Sequence, residues 1–221
     1  MRRIVSFLLV LGMLLSGACL TSCTEEPIKD REYDPELVLE AAAELVAKSW
    51  NINWFFWGTG IPASEAENAV KIGSYVEAEE NFTEQLDLKT IEDLKKMTSE
   101  VYDKAFCEVI FQTKLAAIQE SDGNIVSLVR YYQSTTKDEN GNEIKGPIMV
   151  HTDAEVYFDE NPVYHYDTLS ILGVEGEVVH LMIEASFEDA PSERIPVPVD
   201  LIEEENGWRL VNPTYVAKPK K

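Results

Sequence analysis

The side chains that could do chemistry in this 221-residue sequence are three histidines, one cysteine in an apolar run, and a few strand-borne aspartates and tyrosines. His151, His165 and His180 fall on different expected strands. No H-x-x-x-H or C-x-x-C spacing occurs, so no zinc site is expected. The run Asp138-Glu139-Asn140-Gly141-Asn142-Glu143 places oxygen ligands at alternate positions, as a calcium loop does. It has Glu143 where an EF-hand needs glycine and Met149 where it needs the bidentate glutamate, so it reads as a solvated hairpin tip. Cys107 lies in Ala105-Phe106-Cys107-Glu108-Val109-Ile110-Phe111 and reads as a small buried hydrophobe, because a nucleophilic thiol needs a base beside it. Neither G-x-S-x-G, G-x-G-x-x-G nor a P-loop is found, so no catalytic residue and no cofactor is assigned.

Two further constellations stay open. A curved sheet closed by helices can enclose a pocket in which an aspartate base and tyrosine donors run isomerase or dehydratase chemistry. Asp153, Asp167, Tyr131, Tyr157 and Tyr166 are the candidates, although strand alternation divides them between two faces. Trp50, Trp54 and Trp57 stand at i, i+4 and i+7 and share one helix face, either as an aromatic core stripe or as a platform for glycan or peptide.

The elements that must position these residues follow from the periodicity. Asp34-Pro35-Glu36 starts a helix with an acidic N-cap and proline at the first turn. Leu37, Leu39, Ala41, Ala42, Leu45, Val46 and Trp50 continue it to Gly58-Thr59-Gly60. Residues 63–73 fit a short helix, and Tyr75, Val76 and Phe82 fit a first strand. Thr90, with Asp93 three residues on, opens the next helix. A third runs from Asp103 to about Gln119. From Ile125 the period changes to two, with strands near 125–136, 145–158, 163–172, 177–187, 195–204 and 207–213. Asn140-Gly141, Asp159 to Pro162, Gly173 to Gly176 and Asn206-Gly207 supply the turns. Helices first and an antiparallel meander after give an α+β fold, with N-terminal helices packed on a curved antiparallel sheet.

Forty acids against 19 basic residues give a net charge of −21. Such a surface repels nucleic acid and anionic lipid headgroups, and fits a basic protein partner, a cationic surface or solubility alone. The N-terminus carries an address. Arg2 and Arg3 precede the apolar run Ile4 to Leu15, which reads as a signal-peptide core. Leu20-Thr21-Ser22-Cys23 then resembles a bacterial lipobox. That resemblance implies cleavage before Cys23, lipid on its sulfur and new amino group, and an extracytoplasmic location at the cell membrane without a spanning helix. The mature chain would carry −23, since residues 1–22 hold two arginines and no acid. The expected organisation is a signal peptide over 1–22, a polar tether over 23–33, one domain over 34–216 and a basic tail over 217–221. An acylated Cys23 leaves Cys107 without a disulfide partner.

Longer words carry a family resemblance. Leu88-Lys89-Thr90-Ile91-Glu92-Asp93-Leu94-Lys95-Lys96-Met97, followed by Val101-Tyr102-Asp103-Lys104-Ala105-Phe106, resembles a segment of the IseA family, inhibitors of cell-wall DL-endopeptidases. Trp54-Phe55-Phe56-Trp57 is similar to aromatics there. The ending from Glu205 to Tyr215 is similar to the closing hairpin of related extracellular lipoproteins. The whole pattern resembles the cystatin-like cone of the nuclear-transport-factor-2-like class. The resemblance implies a domain without chemistry of its own that occludes the Cys–His site of a cell-wall hydrolase. The lipobox departs from that family, and the middle strands carry no matching word, so the fold carries over further than the activity. The acidic projections expected to face such a partner are Asp138, Glu139 and Asn140 in one hairpin tip, and Glu203, Glu204 and Glu205 at a corner. The alternatives are a ligand- or protein-binding lipoprotein with another target, and the pocket enzyme above.

Overall fold

The computed structural model describes residues 33–115, 120–121, 124–125 and 129–218. Helix α1 (Pro35–Phe56) begins where Asp34 accepts the amide of Glu36 at 3.0 Å and Pro35 occupies the first turn. One stripe of it, Val38, Ala42, Leu45, Val46, Ile52, Phe55 and Phe56, is buried. Strands β1 (Lys71–Ile72) and β2 (Tyr75–Glu77) follow, then the short helix α2 (Glu80–Gln85). Helix α3 (Ile91–Ser99) opens on the expected capping box. Thr90 Oγ1 accepts the amide of Asp93 at 3.1 Å, and Asp93 Oδ2 accepts that of Thr90 at 2.8 Å. Helix α4 (Lys104–Lys114) is capped by Asp103, which accepts the amides of Ala105 and Phe106. The strands β3 (Glu120–Ser121), β4 (Asn124–Ile125), β5 (Tyr131–Lys137), β6 (Glu143–His151), β7 (Val163–Glu175), β8 (Val178–Phe187), β9 (Ala190–Glu204) and β10 (Gly207–Leu210) complete the chain order.

The fold is α+β, with helices packed on curved antiparallel sheet. Strands β7 to β10 form the expected meander, in the order β10-β9-β8-β7. Val179, Leu181, Ile183 and Ala185 of β8 alternate inward, with Val197, Val199 and Leu201 of β9. They join the apolar stripe of α1 in one core. Burying such side chains is worth about 1.5–3 kcal/mol each relative to leaving them exposed. The Gly176-Glu177 turn has the left-handed residue first (Gly176, φ +61°), which a II′ hairpin requires.

The other strands depart from a single continuous sheet. Strands β5 and β6 pair with β2 and β1 instead, in the order β1-β2-β6-β5, because residues 152–162 leave the ladder and carry the chain past the end of α1. A second, smaller core of Tyr75, Val129, Tyr132 and Met149 lies in this sheet. Residues 63–73 are not helical but pair through Ala63↔Ala78 and Lys71↔Val76. Phe82 lies in α2 rather than a strand, because the carboxylate of Glu79 caps the amides of Asn81 and Phe82. Strand β6 ends at His151, not near 158. Strand β10 ends at Leu210, where Asn212-Pro213 withdraws a donor. Strand β7 runs through Gly173 to Glu175, so it ends three residues later than expected and the turn falls at Gly176-Glu177. Helix α4 ends at Lys114, and residues 116–119 lie outside the described residues. So do the signal peptide, Cys23, most of the tether and residues 219–221. Residues Arg31–Lys221 form one compact unit. Among the described residues no helix is long and apolar enough to cross a membrane.

Candidate functional site

The β5–β6 hairpin outruns the core. From Thr135 to Lys145 every side chain is exposed except Asp138, which is half-buried. Asp138 explains how a finger with little apolar support keeps its shape. Its Oδ1 accepts the amides of Asn140 and Asn142, both at 2.8 Å, and its Oδ2 accepts the side-chain amide of Asn142 at 2.9 Å. Those donors hold its carboxyl below the usual aspartate range. Gly141 sits at φ +83°, where a side chain would strain the turn. Asp138 is therefore a brace rather than a partner-facing acid, because both oxygens are spent on its own turn. Glu139 and Asn140 remain outward, and Ile144 is 52 % exposed beside them.

The Glu203–Glu205 corner is at the β9–β10 turn, in the other sheet. Glu204 accepts the amide of Lys104 at 3.2 Å and so caps the first turn of α4. Glu203 and Glu205 are exposed. One acid in each projection thus has a local structural task that the sequence did not signal.

The three tryptophans are half-buried in a continuous aromatic array. Trp50 and Trp54 stack at 5.6 Å with an interplanar angle of 10°, and Trp54 meets the edge of Phe158. Phe158 stacks on Tyr215, and Tyr215 stacks on Trp57 at 5.5 Å. Phe106 also stacks on Trp57, at 6.1 Å with an interplanar angle of 7°. Trp57 is therefore engaged by two aromatic neighbours, and its half-buried ring serves the core more than a platform. Trp50 and Trp54 keep the shared helix face. The array clamps the C-terminal segment onto α1, where Ser49, Asn53 and Thr214 also share buried hydrogen bonds.

The acid–base candidates do not converge. Asp153, Asp167, Tyr157 and Tyr166 are exposed, the first in a loop and Asp167 on β7. Tyr131 is buried, but its hydroxyl donates to the carbonyl of Phe55 at 2.6 Å and accepts the amide of Ile61 at 2.9 Å. The pocket-enzyme arrangement is therefore not formed by these residues. His165 lies 2.9 Å from Ser186 Oγ, and His180 Nδ1 lies 2.7 Å from Asp200 on the neighbouring strand. His151 packs edge-on to Tyr75. Among the described residues no three His, Cys, Asp or Glu side chains are grouped to hold a metal ion. Cys107 is buried against the carbonyl of Tyr102, and desolvation pushes its thiol up to about 11.

A cleft that the sequence did not signal lies beside the aromatic array. It has a volume of about 330 Å³ and is lined by Lys114, Arg130, His151, Asp153, Glu155 and Tyr157, among others. Arg130 is only 5 % exposed, and Tyr157 connects the cleft to Tyr215 of the array. The only local hint was an arginine inserted between the apolar Val129 and Tyr131. The chain matches no protein-family model and no curated protein sequence.

Proposed function

We propose that this chain is an extracytoplasmic binding domain, held at a bacterial cell membrane by lipid on Cys23. It acts by inserting the β5–β6 finger into a partner's cleft and has no chemistry of its own. The observation that supports this reading is the finger itself. Its turn is braced by Asp138, its two strands are solvated on both faces, and Ile144 stands exposed beside Glu139 and Glu143. A preformed projection pays little ordering entropy on docking, and an apolar tip residue supplies an anchor. The partner class follows from the lipobox, the acidic charge and the family resemblance together. It is a basic cell-wall DL-endopeptidase whose Cys–His cleft admits peptide stems. Charge steering speeds such an encounter at low salt.

The test is digestion of peptidoglycan by purified DL-endopeptidases in the presence of a soluble chain beginning at Thr24, which keeps the whole compact unit Arg31–Lys221. The expected result is dose-dependent inhibition that weakens with salt and is lost in Ile144→Asp. Full digestion at saturating chain would sink the proposal. Lipid attachment is read separately, by mass spectrometry of the N-terminal peptide from cells and its loss in Cys23→Ser.

A further inference from the structure

We infer that the cleft beside the end of α1 is a binding site for the carboxylate end of a small zwitterionic ligand, an amino acid or short peptide. This site is separate from the finger, and its occupation is independent of any hydrolase. Two cations meet there, and a lining acid, Glu155, acts on Lys114 through space without a salt bridge to either. The guanidinium of Arg130 donates to three neutral acceptors: the carbonyl of Gly58 at 2.5 Å, the carbonyl of Glu155 at 2.8 Å and the hydroxyl of Tyr131 at 3.2 Å. These use three of its five N–H groups. The ammonium of Lys114 lies 5.6 Å from the centre of the Tyr157 ring. No carboxylate among the described residues forms a salt bridge with either cation.

A buried charge is costly unless paired, and two like charges in one cleft add repulsion. The backbone offsets part of this. Arg130 donates to the Gly58 carbonyl, two residues past the end of α1, and Lys114 lies in the last turn of α4. The repulsion remains: burial and the Arg130 charge outweigh the opposing Glu155 charge and hold the Lys114 ammonium below the usual lysine range. An incoming carboxylate relieves it and offers the bidentate acceptor that a guanidinium fork matches.

The rest of the lining selects among anions. Asp153 and Glu155 stand exposed at the cleft and would receive an ammonium while repelling a polyanion. Tyr157, 45 % exposed, offers an apolar wall beside Lys114. A volume of about 330 Å³ is at the small end of ligand sites, which suits an amino acid or dipeptide rather than a large molecule.

Calorimetric titration of the full chain in detergent tests this with four probes: alanylalanine, alanylalanine amide, N-acetylalanine and inorganic phosphate. The expected order is alanylalanine tightest, N-acetylalanine weaker, and the amide and phosphate weaker still by tenfold or more. Lys114→Met is expected to weaken alanylalanine at least tenfold while its melting temperature stays at or above that of the parent, because it removes a repulsion. Amide binding equal to that of the free dipeptide overturns the proposal. So does phosphate binding as tightly, an unchanged affinity in Lys114→Met, or the absence of binding by all four probes. Peptidoglycan digestion in the presence of Lys114→Met separates this site from the finger, since that variant is expected to retain inhibition.

Discussion

The hydroxyl of Tyr102 donates to Oδ1 of Asn53 across 2.5 Å, with both side chains buried. This bond ties the link between α3 and α4 to the middle of α1. Asn53 Nδ2 in turn donates to Thr214 Oγ1 at 3.0 Å, so one amide holds three separated segments. Desolvation keeps the Tyr102 phenol well above its ordinary range, and it serves as a neutral donor. Replacing Asn53 by leucine removes the acceptor of the Tyr102 hydroxyl and one of two partners of the Thr214 hydroxyl, which keeps Ser49 Oγ at 2.7 Å. The expected loss is about 1–3 kcal/mol, the cost of one stranded buried group. Urea denaturation of Asn53→Leu, Tyr102→Phe and the double variant checks it. The double variant is expected to lose less than the sum of the two single losses, because both remove the same bond.

The end of α1 gives a comparison between two glycines. Gly60 has φ +88°, and a Cβ there would fall 2.6 Å from both Arg130 Nη2 and Tyr131 Oη. Gly141 has φ +83° with open space around it. Alanine at 141 meets only the left-handed backbone, roughly 1–2 kcal/mol. Alanine at 60 adds overpacking against a buried guanidinium, roughly 1–3 kcal/mol more. Denaturation midpoints of Gly60→Ala and Gly141→Ala check the ranking, and equal losses would mean that Arg130 yields freely.

Local rules carried the sequence reading far for the helix starts and the meander. Asp34, Thr90 and Asp103 cap where side-chain oxygen meets an orphan amide, an interaction within four residues. The alternation in β8 and β9 survives because one face of each strand enters a single core. Long-range pairing was not legible. Nothing local tells that Met149 pairs with Glu77 rather than a residue in the following strand. The cleft was missed for the same reason. Lys114 and Arg130 are 16 positions apart, and the bond from the Arg130 amide to the Lys114 carbonyl brings them together. The tryptophan spacing placed Trp50 and Trp54 correctly but could not show that Phe106 and Tyr215 stack on Trp57.

The capping box at α3 makes a pH-dependent contribution. Hydrogen bonds from Thr90 hold the Asp93 carboxyl below its ordinary range. A depressed folded pKa means that the carboxylate's contribution is present above the unfolded pKa and is lost as pH falls through the folded one. Thr90→Ala is expected to lose about 1 kcal/mol near neutral pH. Asp93→Asn is expected to flatten the acid side of the stability profile, below the usual aspartate range. Chemical denaturation at several pH values checks both, and a parallel acid slope in Asp93→Asn would remove the carboxylate from the account.

Cys107 supplies a test of packing that needs no substitution. Its thiol is 3 % exposed, donates to the Tyr102 carbonyl at 3.4 Å, and is pushed up to about 11 by desolvation. The reactive species is the thiolate, so at pH 8 both access and ionisation suppress attack. A soluble chain beginning at Thr24 has this as its only thiol, since the other two cysteines precede it. An aromatic disulfide reagent is expected to label it more than a hundredfold more slowly in the folded chain than in urea. The folded rate should follow stability across the variants above, rising in Asn53→Leu, because labelling then requires opening of the α3–α4 link. A folded rate close to the urea rate would place Cys107 in solvent and undo the reading of α4 as a core helix on that side.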